Sequence, residues 1–258
     1  MRVPVQQDEN ELNTVQFIGQ AYNHCMSGPI DDEATALPHA REQRLRAVAD
    51  ARRELVLKAA RATFFELGLE GASMREIAKR AGYTPGAIYS YFASKEEVYA
   101  ALLGESLERL NRRVSDATPP AARGSSVAAK RAQAEAAMRS HARAFFDFFR
   151  ENPRDLDLGF YLFHGTQPRG LTPPLNERLN ARLRDALAPT LRAMTALHLP
   201  DAEALTEVTA LFAHIVGLLV VSHTGRIRMF HRESIALFDR YLDDLVGRCL
   251  RARRNKTA

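Results

Sequence analysis

The 258-residue chain has only two cysteines, Cys25 and Cys249. They form no C-x-x-C pair and no metal-ligand spacing, so the chain reads as a protein of a reducing, intracellular compartment. The opening residues, "MRVPVQQDENEL", lack the apolar stretch of a secretion signal. Long apolar runs are scarce too. The longest, "VTALFAHIVGLLVVSH" (Val208 to His223), is shorter than the roughly 20 residues of a membrane span and is interrupted by His214. It reads as a buried helix, with no membrane partner. Strand-like alternation and internal repeats are missing, which leaves an all-α chain. None of the eight histidines sits in H-E-x-x-H, and "GASMR" is not a G-x-S-x-G elbow. His214, His223 and His231 have no ligand spacing either, so neither metal nor cofactor is expected.

What is present suffices for a packed core: 46% of residues are hydrophobic and 26% are charged. The net charge of +5 is unevenly spread. From Met1 to Ala40 six acids face one base, whereas from Arg41 to Lys95 eleven bases face six acids. A basic excess confined to one segment fits a surface that meets nucleic acid, although a solvated helix face gives the same signal.

Residues 1–43 show no sustained period and read as a disordered acidic extension, with Met26 as an alternative start. From Arg44 the spacing turns helical. Val56, Ala59, Ala60, Phe64 and Leu67 form a stripe, and Gly68 stands at its C-cap. Ser73 and Glu76 make a capping box for "MREIAKRAG", which Gly82 ends. Thr84 caps the next helix, Thr84 to Tyr91, with Pro85 at N1 and Ile88 and Phe92 facing inward. Ser94 and Glu97 cap another helix that runs past Leu110. "SDATPPAARGSS" (Ser115 to Ser126) is the clearest break. Helical patterns follow at Ala129–Arg150, Leu156–Phe163, Leu175–Leu197, Asp201–Thr224 and Glu233–Leu250, giving about nine helices in all. The basic end, residues 253–258, reads as a frayed tail.

Two short helices joined by a glycine turn form a helix-turn-helix, here spanning residues 73–92. In that motif the second helix enters the major groove. Small residues at its start let the backbone approach the bases, and tyrosine hydroxyls can donate to phosphates. This accounts for the tyrosines crowded around "YTPGAIYSY".

The stretch from Arg52 to Leu103, about a fifth of the chain, resembles the DNA-binding domain of the tetracycline-repressor (TetR) family. The likeness runs through Ala59, Ala60, Phe64 and Gly68, then "SMREIAKRAG", G-x-x-Y-x-x-F (Gly86 to Phe92) and "SKE" (Ser94 to Glu96). It implies phosphate contacts from Ser73, Thr84, Tyr89, Tyr91 and Lys95, and base-facing positions at Pro85, Gly86 and Ala87. Two residues depart from the pattern: Tyr91, where many members carry histidine, and Tyr83, where a small aliphatic residue is usual. The resemblance further implies a DNA-binding domain over residues 44–103 and a helical ligand-binding and dimerisation domain over 104–252. A homodimer on a palindromic operator in double-stranded DNA follows, since one short recognition helix reads too few bases alone. Val208 to Val221, apolar nearly all round and with Gly217 permitting close approach, suits the dimer face.

An unknown small-molecule ligand is expected among the middle helices. Its candidate lining is His141, Phe145, Phe149, Phe160, Phe163 and His164, with Gln167 as a polar anchor. The same aromatic stripe also suits plain core. Arg143 and Arg169 are candidate partners for an acidic ligand. Taken together, the expected function is a cytoplasmic transcriptional repressor and not an enzyme. An all-helical enzyme and a sequence-blind architectural DNA binder are the competing readings.

Overall fold

The computed structural model describes residues 31–121, 124–160 and 171–252. Expectations placed on residues 1–30, on Phe163, His164, Gln167 and Arg169, and on the basic end fall outside the described residues. The chain divides into two compact units, Met1–Glu54 and Leu55–Ala258.

Helix α1 (Asp31–Gly71) begins well ahead of the expected start at Arg44. In the first unit its side chains from Arg41 to Glu54 are all exposed. An exposed stretch of helix carries no apolar period, which is why the pattern becomes legible only farther along α1. A surface pair such as Arg46 and Glu42, 2.6 Å apart one turn away, supports this stretch only weakly.

In the second unit α1 acquires a core face: Val56, Leu57, Ala60 and Phe64 are buried. Gly68 takes a left-handed φ of 69°, breaking the helix near its end as its sequence position predicts. Helix α2 (Met74–Ala81) follows, with Ser73 Oγ accepting the Glu76 amide at 3.2 Å. It closes at Gly82, φ 74°, where the Tyr83 amide donates back to the Ala78 carbonyl at 2.9 Å. Helix α3 (Pro85–Tyr89) is shorter than the expected Thr84 to Tyr91, and Thr84 Oγ1 accepts the Ala87 amide at 3.3 Å. Helix α4 (Lys95–Asp116) starts at Ser94, whose Oγ accepts the Glu97 amide, while Glu97 Oε2 accepts the Ala93 amide at 2.9 Å.

Beyond α4 come α5 (Val127–Glu151), α6 (Pro153–Phe160), α7 (Pro173–Ala196) and α8 (Asp201–His223). A 3-10 turn (Arg226–Phe230) then leads into α9 (Ser234–Ala252). Among the described residues the structure is entirely helical. Helices α6 and α7 start earlier than their apolar periods suggested, because Pro153 and Pro173 occupy first-turn positions where a missing N–H costs nothing. The 3-10 turn had no sequence counterpart.

One continuous core runs from Val56 to Cys249, and α4 contributes to it along its length through Val98, Leu102, Leu107 and Leu110. Farther along the chain the core is aromatic. Phe146 stacks on Phe238 with centroids 4.2 Å apart. Cys249 is fully buried, and desolvation pushes its thiol up to about 11, so it is a core side chain without redox reactivity.

Candidate nucleic-acid interface

The turn from Gly82 to Thr84 joins α2 and α3, and the core side of the pair is fixed by Ile77, Ala78, Ile88 and Phe92, all buried. This anchoring leaves Ser73, Thr84, Pro85, Gly86, Tyr89 and Ser90 exposed, with Tyr89 at 55%. The hydroxyls of Ser73 and Thr84 accept capping amides, so each still has a proton to donate outward. A Cβ built on Gly86 meets nothing within 4 Å, so the protein itself does not demand glycine there.

Three expected contact residues are placed differently. Ala87 and Tyr91 are half-buried, and the Tyr91 ring packs against the core. Tyr83 does the same. Lys95 turns inward: its ammonium donates to the carbonyls of Glu70 at 3.3 Å and Ala72 at 3.2 Å, capping the end of α1. Arg75 and Lys79, which the residue-by-residue reading passed over, are exposed on α2. Their only sequence signal was the basic excess of the segment. Arg80 is engaged with Glu66 at 2.5 Å, and its hydrogen bond lowers the Glu66 carboxyl below its ordinary range.

Helices α1, α4 and α6 border an open pocket of about 780 Å³ lined by Lys58, Phe65, Tyr99 and Arg154 among others. Across it the Arg154 guanidinium lies 4.5 Å from the Phe65 ring centre. The Tyr99 hydroxyl donates to the Leu158 carbonyl, and Arg109 meets the buried Asp155 at 2.6 Å. These contacts couple α4 to α6.

The expected ligand lining splits in two. Phe145, Phe149 and Phe160 cluster with Phe212, their rings 5.4 to 6.1 Å apart. Phe145 and Phe149 are 1% and 2% exposed, so they belong to the core, and Phe160 is half-buried. His141 instead borders a second cavity of about 550 Å³ and bonds Thr118 Oγ1 at 3.0 Å. Arg143 is taken by Asp239 and lies 5.1 Å from the Phe238 ring. The histidines weighed as metal ligands are not gathered: His223 donates to the Phe149 carbonyl and His214 stacks on Tyr241. Among the described residues no group of three side chains could hold a metal ion.

Helix α8 is long and apolar enough to cross a membrane by length and composition. Here Leu211, Ile215 and Leu219 are buried in the core. Its other face borders an apolar groove of about 490 Å³ with Gly217, Leu218, Val221 and Phe230.

A short-helix pair with an exposed second helix, followed by a helical C-terminal region, defines a helix-turn-helix protein. Two family models match it: bacterial regulatory proteins of the tetR family over residues 56–102, and the tetracyclin repressor-like C-terminal domain over residues 138–245. The chain belongs to the TetR family. It is 38% identical over 64 residues to the transcriptional repressor AcnR of Corynebacterium efficiens, covering 25% of this chain and 34% of the relative. It is 32% identical over 120 residues to the transcriptional activator FasR of Mycolicibacterium smegmatis, covering 46% and 50%. The chain thus spans between a third and a half of the length of these curated relatives. The crystal structure of a tetR-family regulatory protein from Rhodococcus RHA1 superposes with a TM-score of 0.57 at 18% identity, over 76% of this chain and 95% of that one. At that identity the likeness is one of fold.

Proposed function

We propose that this chain is a sequence-specific transcriptional regulator, a cytoplasmic repressor that binds a palindromic operator as a homodimer and is released by a small molecule held in its helical domain. It binds and does not catalyse. The observation that carries this reading is the start of α3, where Thr84, Pro85 and Gly86 stand exposed without side-chain bulk on a rigidly anchored helix. Pro85, Gly86 and Ala87 face the bases. Ser73, Thr84, Tyr89 and the half-buried Tyr91 position the phosphates, with Arg75 and Lys79 adding charge. Lys95 donates to the carbonyls of Glu70 and Ala72, so it chiefly holds the end of α1 against the motif.

A second copy of the chain supplies what α8 lacks. Gly217 and Ala213 are exposed beside half-buried Leu218 and Val221, an apolar face that a matching helix would cover. The test is a fluorescence-anisotropy titration against the DNA upstream of the protein's own gene, with scrambled DNA as competitor and a salt series. Binding that survives excess scrambled DNA is expected. Equal binding to both DNAs would replace the regulator with the architectural reading.

A further inference from the structure

Helix α8 carries a single titratable side chain in the middle of its proposed dimer face. From Val208 to Ser222 the chain has no aspartate, glutamate, lysine or arginine, and His214 is the one group that can take a charge. The outer side of the helix is built to be covered dry. Ala202, Leu205, Ala210, Ala213 and Gly217 are exposed along it. The hydroxyls of Thr206 and Thr209 donate to the carbonyls of Ala202 and Leu205 at 2.9 and 2.7 Å, so their protons are already used within the helix. Leu205 is 57% exposed, and Phe230, which lines the adjoining groove, is 67% exposed. A second copy of the chain would take this apolar area out of water.

His214 sits in that surface without a polar partner. Its ring stacks flat on Tyr241, with centroids 3.8 Å apart, and lines the groove beside Gly217, Leu218 and Val221. Its Nε2 is buried with no hydrogen-bond partner. The charged groups around it are otherwise engaged. Arg248, 5.8 Å from the Tyr241 ring centre, holds Glu207 at 3.0 Å, and Arg143 on α5 takes Asp239. Arg232 lines the groove, and a cation cannot stabilise a second cation. Burial alone lowers the His214 pKa from the ordinary 6.5. A charged ring here has only the groove through which to meet water, and a second copy closes the groove.

We propose that His214 makes dimerisation sensitive to acid: protonating its ring separates the subunits and so releases the operator. The neutral ring can be covered by an apolar partner, whereas an imidazolium without a counter-charge is costly to bury. The free subunit therefore binds a proton more readily than the dimer. Dimerisation is intact above the free-subunit pKa and weakens as pH falls through it. Two-fold pairing buries two copies of the ring, so the dimer Kd rises by up to about a hundredfold per pH unit below that pKa. Protons become an effector that needs no small-molecule pocket. The inference names a regulation of the homodimer proposed above and rests on that reading.

The test is sedimentation of the full-length protein over a pH series, with circular dichroism on the same samples. Between about pH 7.5 and about pH 5 the wild-type dimer Kd should rise by about tenfold or more while the helical signal holds. His214→Gln should dimerise without that dependence. His214→Phe, which keeps a flat ring against Tyr241 and binds no proton, should behave alike. His231→Asn should retain the dependence, since asparagine tolerates the left-handed backbone of that exposed turn. Operator binding in anisotropy should weaken over the same range in the wild type and not in the His214 variants. A wild-type Kd that ignores pH, a His214 variant that keeps the wild-type dependence, its loss in His231→Asn, or dissociation that only follows loss of helix overturns the inference. Gly217→Glu separates the switch from the dimer face. If that variant remains a dimer, α8 is not the interface and the switch falls with the face. If it becomes a monomer while the wild-type dimer is indifferent to acid, the face stands and the switch alone is removed.

Discussion

The helix-turn-helix segment and the helical region behind it are built by opposite means. The first is specified by local rules. Ser73, Thr84 and Ser94 each accept an amide three residues on, and Gly82 closes α2 in a left-handed turn. Its helices are short, α3 spanning only Pro85–Tyr89, so caps and a few buried anchors must fix their geometry. The second region relies on bulk. Phe145, Phe146, Phe149 and Phe238 are almost wholly inaccessible, and α5 and α7 are each over twenty residues long. Precise placement of a small surface therefore rests on short-range hydrogen bonds, and a large helical body rests on long-range packing. Substitutions should separate the two.

The largest expected effect belongs to the packed region. Phe238→Ala removes a fully buried ring stacked on Phe146 and should cost about 3–5 kcal/mol in chemical denaturation. A loss below about 1 kcal/mol would mean that α9 repacks easily, and the contrast between the regions would weaken. Next comes Gly217→Glu on α8. A Cβ there meets nothing within 4 Å, so the monomer should keep its fold. A charge in the proposed dimer face should convert the protein to a monomer in sedimentation, and operator binding should fall with it. A dimer that survives the change would put the second copy on another surface.

The same division explains what the sequence made legible. Caps and turn glycines obey spacings of three or four residues, so α2, α3 and the start of α4 could be placed from residues alone. Lys95 could not, because its partners Glu70 and Ala72 lie more than twenty positions away and are backbone carbonyls. The aromatic stripe of α5 carried a correct period but an ambiguous meaning: Phe145 and Phe149 became core while His141, on the same face one turn earlier, borders a cavity. Nothing in one helix announces which of its residues will face empty space. That depends on where α4 ends and α7 begins to close over it.

Acid should strain the packed region before the capped one. Burial lowers the pKa of both His141 and His214 from the ordinary 6.5, with the Arg192 charge adding to the effect at His141. Each binds fewer protons folded than unfolded. Stability should therefore fall as pH drops below 6.5, and the decline should level off below the folded pKa values. The limit is about 1.4 kcal/mol per pH unit for each histidine. A double variant, His141→Gln with His214→Gln, should flatten the slope between pH 7 and pH 5 in denaturation curves, about the ordinary histidine value of 6.5. An unchanged slope would assign the acid sensitivity to the carboxylates.

The capped region should respond more gently. Thr84→Ala deletes one side-chain cap and should cost about 1 kcal/mol. Thr84→Ser keeps the acceptor and should restore most of it. If the alanine variant loses nothing, Pro85 alone sets the start of α3.

The smallest stability effect is expected at Gly86, and its sign differs from the rest. Gly86 lies inside α3 and the space around it is open. Alanine there should leave the free protein unchanged or stabilise it by up to about 1 kcal/mol, because glycine is the weaker helix former. Affinity for specific DNA should fall even so, since the added methyl group stands where the backbone is proposed to approach the bases. Melting temperature and anisotropy measured on the same preparation decide it. A variant that melts no lower yet loses operator binding would show that glycine at this position is a requirement of the DNA and not of the fold. A variant that binds as before would move the base-facing edge away from Gly86, toward Tyr89 and Ser90 at the other end of the helix.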